Sequence, residues 1–501
     1  MPAFLDARAL PRGTTLTPDL AIVGGGPAGI SLALALAEAR IKVLPLESGG
    51  MDFSAPTQKL YDGSETGVRY IPLDATRLRY LGGSTNHWGG WCRPLDEDDF
   101  EQRDWVAHSG WPYPRKVLAP YFPRAQALVE AGPFLYDGLS RYVPALGKPV
   151  RLGQGGVYTS FFQFSKWKGN KQHLPTHFGE RYAADLKKIP DLDVMLHANA
   201  TRIGLAPDAA SVAQLDMATL SGNRFTVRPR YTVLAAGAIE TARLMLASDD
   251  VMKTGIGNGS DLVGRFFADH AIPRDTATLV LFGGEIAPWY KTDLTIHGAY
   301  CRGTFSPTQG FKRARHVLGS LATVEQHVKL DDLGKAAMAE TAAALDVDAS
   351  NAKAYSLGCG LELMPDPDRR LTLTQDRDAL GMPRLKLDMT ISDGDFARYR
   401  ETLTELGRQL LASRTGMIRL DRKTRAEWLA AMDWGNHHLG TARMHENPKL
   451  GVTDADAKVH GIANLFVAGS SIFPTYGSSN PTMNLVATTL KLADHVKGLI
   501  A

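Results

Sequence analysis

The chain has 501 residues, 44% of them hydrophobic and 22% charged, the balance of a globular protein and not of a disordered one. Its 56 Lys+Arg against 53 Asp+Glu leave a net charge of +3, which gives no reason to expect nucleic acid or an anionic membrane as partner. Three cysteines cannot build a disulfide framework, residues 1–19 show no basic-then-apolar leader, and no apolar run nears the ~18–20 residues of a membrane span, so a cytoplasmic protein is expected.

Residues 20–23, Leu-Ala-Ile-Val, read as a strand that ends in Gly24-Gly25-Gly26-Pro27-Ala28-Gly29. An Ala- and Leu-rich helix follows over 30–40. A second strand over 41–46 is closed by Glu47, which completes a βαβ unit. Pro45 removes a ladder N–H, so an end or a bulge is expected there. Residues 55–150 hold many Gly, Pro and Trp and little regular period; they read as a long structured excursion. Residues 191–205 and 213–227 alternate like an antiparallel ribbon. A buried strand is expected at 231–236 and a helix at 239–248. Strands at 276–282, 318–324 and 355–364, with 371–374 and 385–389 beyond them, are expected to share one antiparallel sheet. Helices are expected at 336–345 and 395–413, a strand at 465–469 and a closing helix at 484–499.

Gly24, Gly26 and Gly29 form G-x-G-x-x-G. The first allows the tight turn, the second lets backbone approach a pyrophosphate, and the third lets helix and strand pack closely. The helix N-terminus then offers free N–H groups and a positive dipole end. Glu47 lies 18 residues past Gly29, where a ribose hydroxyl needs an acceptor. This predicts dinucleotide binding without deciding between FAD and NAD.

Three further stretches bear on that choice. Arg79-Tyr80-Leu81-Gly82-Gly83-Ser84-Thr85-Asn86-His87-Trp88 is one. Trp434-Gly435-Asn436-His437-His438-Leu439-Gly440-Thr441-Ala442-Arg443-Met444 is another. The third runs from Val467-Ala468-Gly469-Ser470 to Asn480-Pro481-Thr482. With the βαβ start and Leu234-Ala235-Ala236-Gly237-Ala238-Ile239-Glu240, they resemble the glucose–methanol–choline (GMC) oxidoreductase family over nearly the whole chain. The Gly-Gly-x-x-x-His-Trp and Asn-Pro-Thr spacings are most similar to its pyranose oxidase-like, bacterial sugar- and glycoside-oxidising branch.

The resemblance implies an α/β (mixed α+β) fold. A Rossmann-like FAD-binding domain would comprise 1–150, 191–275 and 431–501. A discontinuous substrate domain on an antiparallel sheet would comprise 151–190 and 276–430. It implies FAD as cofactor, held by Gly24, Gly26, Ala28, Gly29 and Glu47 of the first unit and by Arg79, Gly83, Ser84, Asn86, His87 and Trp88 of the second stretch. Thr201, Ala236, Gly469, Ser470, Pro481 and Thr482 would complete the set. His87 falls where pyranose oxidase joins its histidine to the flavin; whether a covalent bond forms here stays open.

The implied reaction removes a proton and a hydride from an alcohol, and a neutral imidazole suits the proton at pH 7. The family places its active-site His four residues before the Thr of G-T-x-R-M, which is His437; His438 would point elsewhere. Asn480 takes the family's second active-site position and can donate to the substrate oxygen, or serve only as a helix N-cap. The favoured substrate is a secondary hydroxyl of a sugar or glycoside, oxidised to a keto-sugar. A non-sugar primary alcohol (a polyol or aromatic alcohol) and a non-redox flavin-containing lyase are the rival readings. The electron acceptor is dioxygen or a quinone, and Gly89, where pyranose oxidase has a Thr, puts oxygen reactivity in doubt. No metal-ligand spacing is recognised among His437, His438 and His445. Tyr158, Phe161, Phe162, Phe164 and Trp167 are candidates either for stacking on a sugar or for core.

Overall fold

A computed structural model describes residues 4–136, 147–166, 174–274, 276–296 and 298–500. Six parallel strands form the first sheet, in the order Phe4–Asp6, Val194–Leu196, Val43–Leu46, Leu20–Val23, Tyr231–Leu234, Leu465–Val467. All four residues of Leu20–Val23 are buried, the pattern of a strand covered on both faces. Helices Pro27–Ala35 and Pro481–Ile500 pack against one another. Leu20–Val23 delivers the glycine turn to one edge of a cleft, and Leu465–Val467, through residues 468–480, delivers the start of the closing helix to the same cleft.

Pro45 causes neither an end nor a bulge: Leu20–Val23 and Val43–Leu46 pair residue for residue. The Val43 and Glu47 N–H groups donate to Asp191 and Met195 on the opposite side. Pro45 shares that side by alternation, so its missing N–H falls toward the neighbouring chain between its two pairings with this strand, Val43 with Leu192 and Leu46 with Met195.

A ten-stranded sheet forms the second layer; its described pairings are antiparallel. It holds Val157–Phe164, Ala277–Leu281, Ala299–Pro307, Ser320–His327, Lys353–Leu361 and Gly416–Leu420, joined by the short strands Trp91–Cys92, Ala271–Pro273, Leu294–Ile296 and Met432–Trp434. Strands Arg370–Arg377 and Pro383–Met389 depart from expectation. They leave this sheet and pair with each other, and Gly63–Gly67 adds to them in parallel. The partner strand, Gly-Ser-Glu-Thr-Gly, is largely exposed and has no apolar alternation to announce it. Residues 199–227 form the expected antiparallel ribbon, with Thr15–Leu16 added at its edge. Val194–Leu196, expected in that ribbon, joins the parallel sheet instead. Among the described residues, no helix is long and apolar enough to cross a membrane.

Candidate active site

A cleft of about 440 Å³ is lined by the glycine turn, the 77–91 stretch, the start of helix Gly237–Ala247, residues 435–438, Gly469-Ser470 and Asn480-Pro481-Thr482. Gly24 sits at φ +116°, and a Cβ there would strike the Ala235 carbonyl. At Gly29 a Cβ would overlap the Gly24 carbonyl oxygen, so the helix can lie on the turn only with glycine there. A Cβ on Gly26 would meet nothing within 4 Å and would jut into open space beside the cleft. The first bond of the helix runs from the Ile30 N–H to the Gly26 carbonyl, which leaves the N–H groups of Ala28 and Gly29 without helical acceptors. Glu47 lines the cleft and accepts the Gly25 N–H at 2.8 Å and the Gly49 N–H at 2.7 Å. The Ser48 hydroxyl also donates to the oxygen that takes Gly49, at 3.2 Å, so the oxygen that takes Gly25 is the one that keeps a lone pair for a further donor.

Across the cleft lies a buried arginine pair. Arg79 donates to Glu240 at 3.1 Å and to Asn199 at 3.2 Å. Arg77, which the sequence reading missed, stacks its guanidinium 3.9 Å from the Tyr61 ring centre and reaches Glu240 at 3.4 Å. Burial opposes the ionisation of Glu240, but Arg243, Arg79 and Arg77 outweigh it and hold the carboxyl down at about 2. Nε and Nη1 of Arg77, Nε of Arg79 and Nε2 of His438 are buried with no partner among the described residues. Unsatisfied buried donors are costly, and these four belong to residues that line one cleft. With the free helix N–H groups they fit a polar, anionic group such as the pyrophosphate and ribose of a dinucleotide.

Gly83, Ser84, His87, Trp88, Ala236, Gly469 and Ser470 also line the cleft. Asn86 braces the turn behind it by donating to the Leu81 carbonyl at 2.9 Å. Burial, then the nearby His177, lowers the pKa of His87. Thr201 is a correction: it is not on the wall. Its hydroxyl donates to the Asp216 carbonyl at 3.0 Å, and Ala198 and Ala200 face the cleft instead, because successive residues of an extended chain point to opposite sides. Phe161, Phe162 and Phe164 are core and Tyr158 pairs with Arg93, so the aromatic stretch supplies no cleft wall. Trp91, packed on Phe162 and Phe164, lines the cleft in their place. Trp167 lies outside the described residues.

His437 and Asn480 meet on the wall, Nε2 to Nδ2, at 3.1 Å. The His437 N–H donates to Asp269 at 2.8 Å, whose other oxygen accepts the Tyr70 hydroxyl at 2.6 Å. Burial pushes Asp269 up to about 7. Burial, then His270 and His438, holds His437 well below the usual imidazole range, so its ring is neutral at pH 7. His438 also lines the cleft, but its ring turns toward Phe267, 5.8 Å away. Burial, aided by Arg77, takes His438 down to about 3.

Unfolded His438 takes a proton below about pH 6.5 and the folded one does not, so stability is lost as pH falls from there toward 3. The slope from this group approaches about 1.4 kcal/mol per pH unit. Denaturation midpoints of wild type and His438→Asn between pH 6.5 and 4.5 test this: the variant should lose stability less steeply, and parallel curves contradict the assignment.

Known proteins resemble this chain in sequence and in fold. Residues 365–489 match the family described as GMC oxidoreductase. The fructose dehydrogenase large subunit of Gluconobacter japonicus is 27% identical over 53% of this chain and 46% of that one, so the match spans about half of that relative. The 2-methyl-1,2-propanediol dehydrogenase of Mycolicibacterium austroafricanum is 24% identical over 95% of both chains. The solved structure of formate oxidase superposes with a TM-score of 0.59 at 18% identity, covering 98% of this chain and 99% of its own; it shares the fold. Glycine turn, paired His and Asn, the match over residues 365–489 and a dehydrogenase relative aligned along nearly the whole chain point the same way: the chain is similar to the GMC oxidoreductases.

Proposed function

We propose that the cleft holds FAD and that the chain oxidises a secondary hydroxyl of a sugar or glycoside to a keto-sugar. The observation that carries the reading is the 3.1 Å pair of His437 and Asn480 on the wall that also bears the free donors and the three helix starts. Bound FAD supplies a hydride acceptor. The rest falls to the chain. An alcohol hydroxyl that parts the two side chains and replaces their 3.1 Å contact receives a hydrogen bond from the Asn480 amide and gives its proton to the His437 lone pair that the contact had occupied. Holding one oxygen from two sides also fixes which carbon–hydrogen bond faces the cleft. The N-terminus of helix Pro481–Ile500 favours negative charge gathering beside it.

A sugar is favoured because one relative is a fructose dehydrogenase and another acts on a vicinal diol; both are alcohols with adjacent oxygens. We propose an FAD-binding domain of 1–150, 191–275 and 431–501 and a substrate-binding domain of 151–190 and 276–430; the separation of the parallel sheet from the ten-stranded one supports the division. Trp91–Cys92, Ala271–Pro273 and Met432–Trp434 reach across as short strands of the second sheet. Dioxygen or a quinone takes the electrons onward, in a cytoplasmic setting.

Two assays test this. Denaturing the purified protein, with proteolysis if the pellet stays yellow, should yield FAD and no nicotinamide; a flavin-sized mass on the His87 peptide would establish the covalent bond. A panel of D-glucose, D-fructose, an aryl glucoside, glycerol and benzyl alcohol, run with dioxygen and with a quinone dye, should show turnover concentrated in the sugars. Turnover only with benzyl alcohol would replace the sugar reading.

A further inference from the structure

His437 offers two ring nitrogens, and only one tautomer is a base at the position beside Asn480. The structure contains the means to choose it. His270 Nε2 lies 2.9 Å from the Gly477 carbonyl oxygen. A carbonyl only accepts, so this nitrogen carries the hydrogen. A neutral His270 then has a bare Nδ1, and that atom lies 2.9 Å from His437 Nδ1. Two bare nitrogens would repel at that distance, so His437 Nδ1 is the donor. The remaining nitrogen, His437 Nε2, is left with its lone pair, facing the amide donor of Asn480 at 3.1 Å.

From this chain of contacts we infer that His270 is the positioning residue of the site: it fixes the His437 proton on Nδ1 and so keeps Nε2 as the proton-accepting atom. The inference rests on His437 being the base. It is distinct from the base itself, since His270 touches neither the Asn480 amide nor the space between Asn480 and His437.

The anchor is rigid. Gly477 sits at φ +54°, and a Cβ there would overlap the Asp99 carboxylate. The Thr475 hydroxyl donates to the Asp99 carbonyl at 2.6 Å, the Tyr476 hydroxyl donates to the Asp269 carbonyl at 3.2 Å, and the Leu363 N–H donates to Tyr476 at 2.9 Å. Three bonds thus hold the two residues that lead into the carbonyl facing His270. The His270 ring is also gripped edge-on by Tyr476 and His437, with ring centres 4.9 and 5.0 Å away. Burial takes His270 down to about 4, against the opposing pull of the Gly477 carbonyl and Glu362, so it remains neutral with a single ring hydrogen around pH 7. Were it doubly protonated, the polarity of the relay would reverse and His437 would present an N–H to the substrate oxygen.

Three variants separate the two bonds of His270. Asn at 270 places an amide oxygen near the former Nδ1 and can still accept from His437. Gln reaches the Gly477 carbonyl but leaves no acceptor opposite His437. Leu does neither. In holoenzyme labelled with nitrogen-15 histidine, the His437 signals (assigned by their loss in His437→Gln) should show a protonated Nδ1 and a bare Nε2. That pattern should persist in His270→Asn and become mixed in His270→Gln and His270→Leu. Anaerobic flavin reduction by the fastest alcohol of the panel should fall roughly 10–100-fold in Gln and Leu, a part of the 10²–10⁴ that a whole general base supplies, and recover to within about 3-fold of wild type in Asn. A wild-type His437 protonated on Nε2, or Asn no better than Gln, overturns the inference. If the Leu variant does not fold, the Asn and Gln pair and the wild-type spectrum still decide. An unslowed His437→Ala would instead remove the base reading on which the inference stands.

Discussion

His437→Ala should retain its flavin and reduce it by alcohol roughly 10²–10⁴ times more slowly, the scale of a lost general base. Retention is expected because the glycine turn, Glu47, Arg77 and Arg79 are untouched and lie elsewhere along the cleft wall. The loss is expected because the pair with Asn480 at 3.1 Å is the place where a hydroxyl finds both a donor and an acceptor. His438→Ala should slow the step much less, since that ring turns toward Phe267 and Arg77. Stopped-flow reduction under nitrogen reads both variants. The reverse ranking would move the base to His438, and an equal, small effect would remove general-base catalysis from this pair.

The largest expected effect on stability lies behind the cleft. Arg243, on helix Gly237–Ala247, is fully buried and gathers five acceptors. Asp378 lies at 2.8 Å, Glu240 at 3.0 Å, and the carbonyls of Pro383, Leu60 and Met382 at 2.7, 2.9 and 3.3 Å. It ties the helix that borders the cleft to the three-stranded sheet. Arg243→Ala would leave Asp378 and Glu240 short of a buried counter-charge, and breaking such a pair from one side costs about 3–5 kcal/mol. Arg243→Lys keeps the charge but loses the planar fork, so it should fall between. Urea denaturation of the holoenzyme measures the difference. A change under about 1 kcal/mol for Ala would show that the network relaxes without its arginine.

The site was legible in the sequence wherever local chain geometry makes it. The glycine turn works within one βαβ unit, so Gly24, Gly26, Gly29 and Glu47 announce themselves by spacing. His437 and Asn480 were legible only through the family's motifs, since nothing around a His-His pair or an Asn-Pro pair says what will face it. His270 was not legible at all. It lies 167 residues from His437, within Ala-Asp-His, and acquires its meaning only when strands Ala271–Pro273 and Met432–Trp434 pair. Arg77 escaped for a related reason: the charges that hold it belong to Glu240, 163 residues away.

The fold shows the same division. The parallel strands are short apolar runs and read plainly. The separation of Arg370–Arg377 and Pro383–Met389 from the large sheet did not, because the strand that recruits them, Gly63–Gly67, is polar and exposed. Thr201 failed by one residue: extended chain alternates, and a single step carries a side chain from the cleft to its back.

Everything proposed for this cleft turns on whether it holds a flavin which an alcohol reduces. The direct measurement is the visible spectrum of the purified holoenzyme under nitrogen, mixed with each sugar and alcohol of the panel. At least one sugar should bleach the oxidised flavin bands, and admitting dioxygen or a quinone should restore them. A bound flavin that no alcohol in the panel bleaches would contradict this reading.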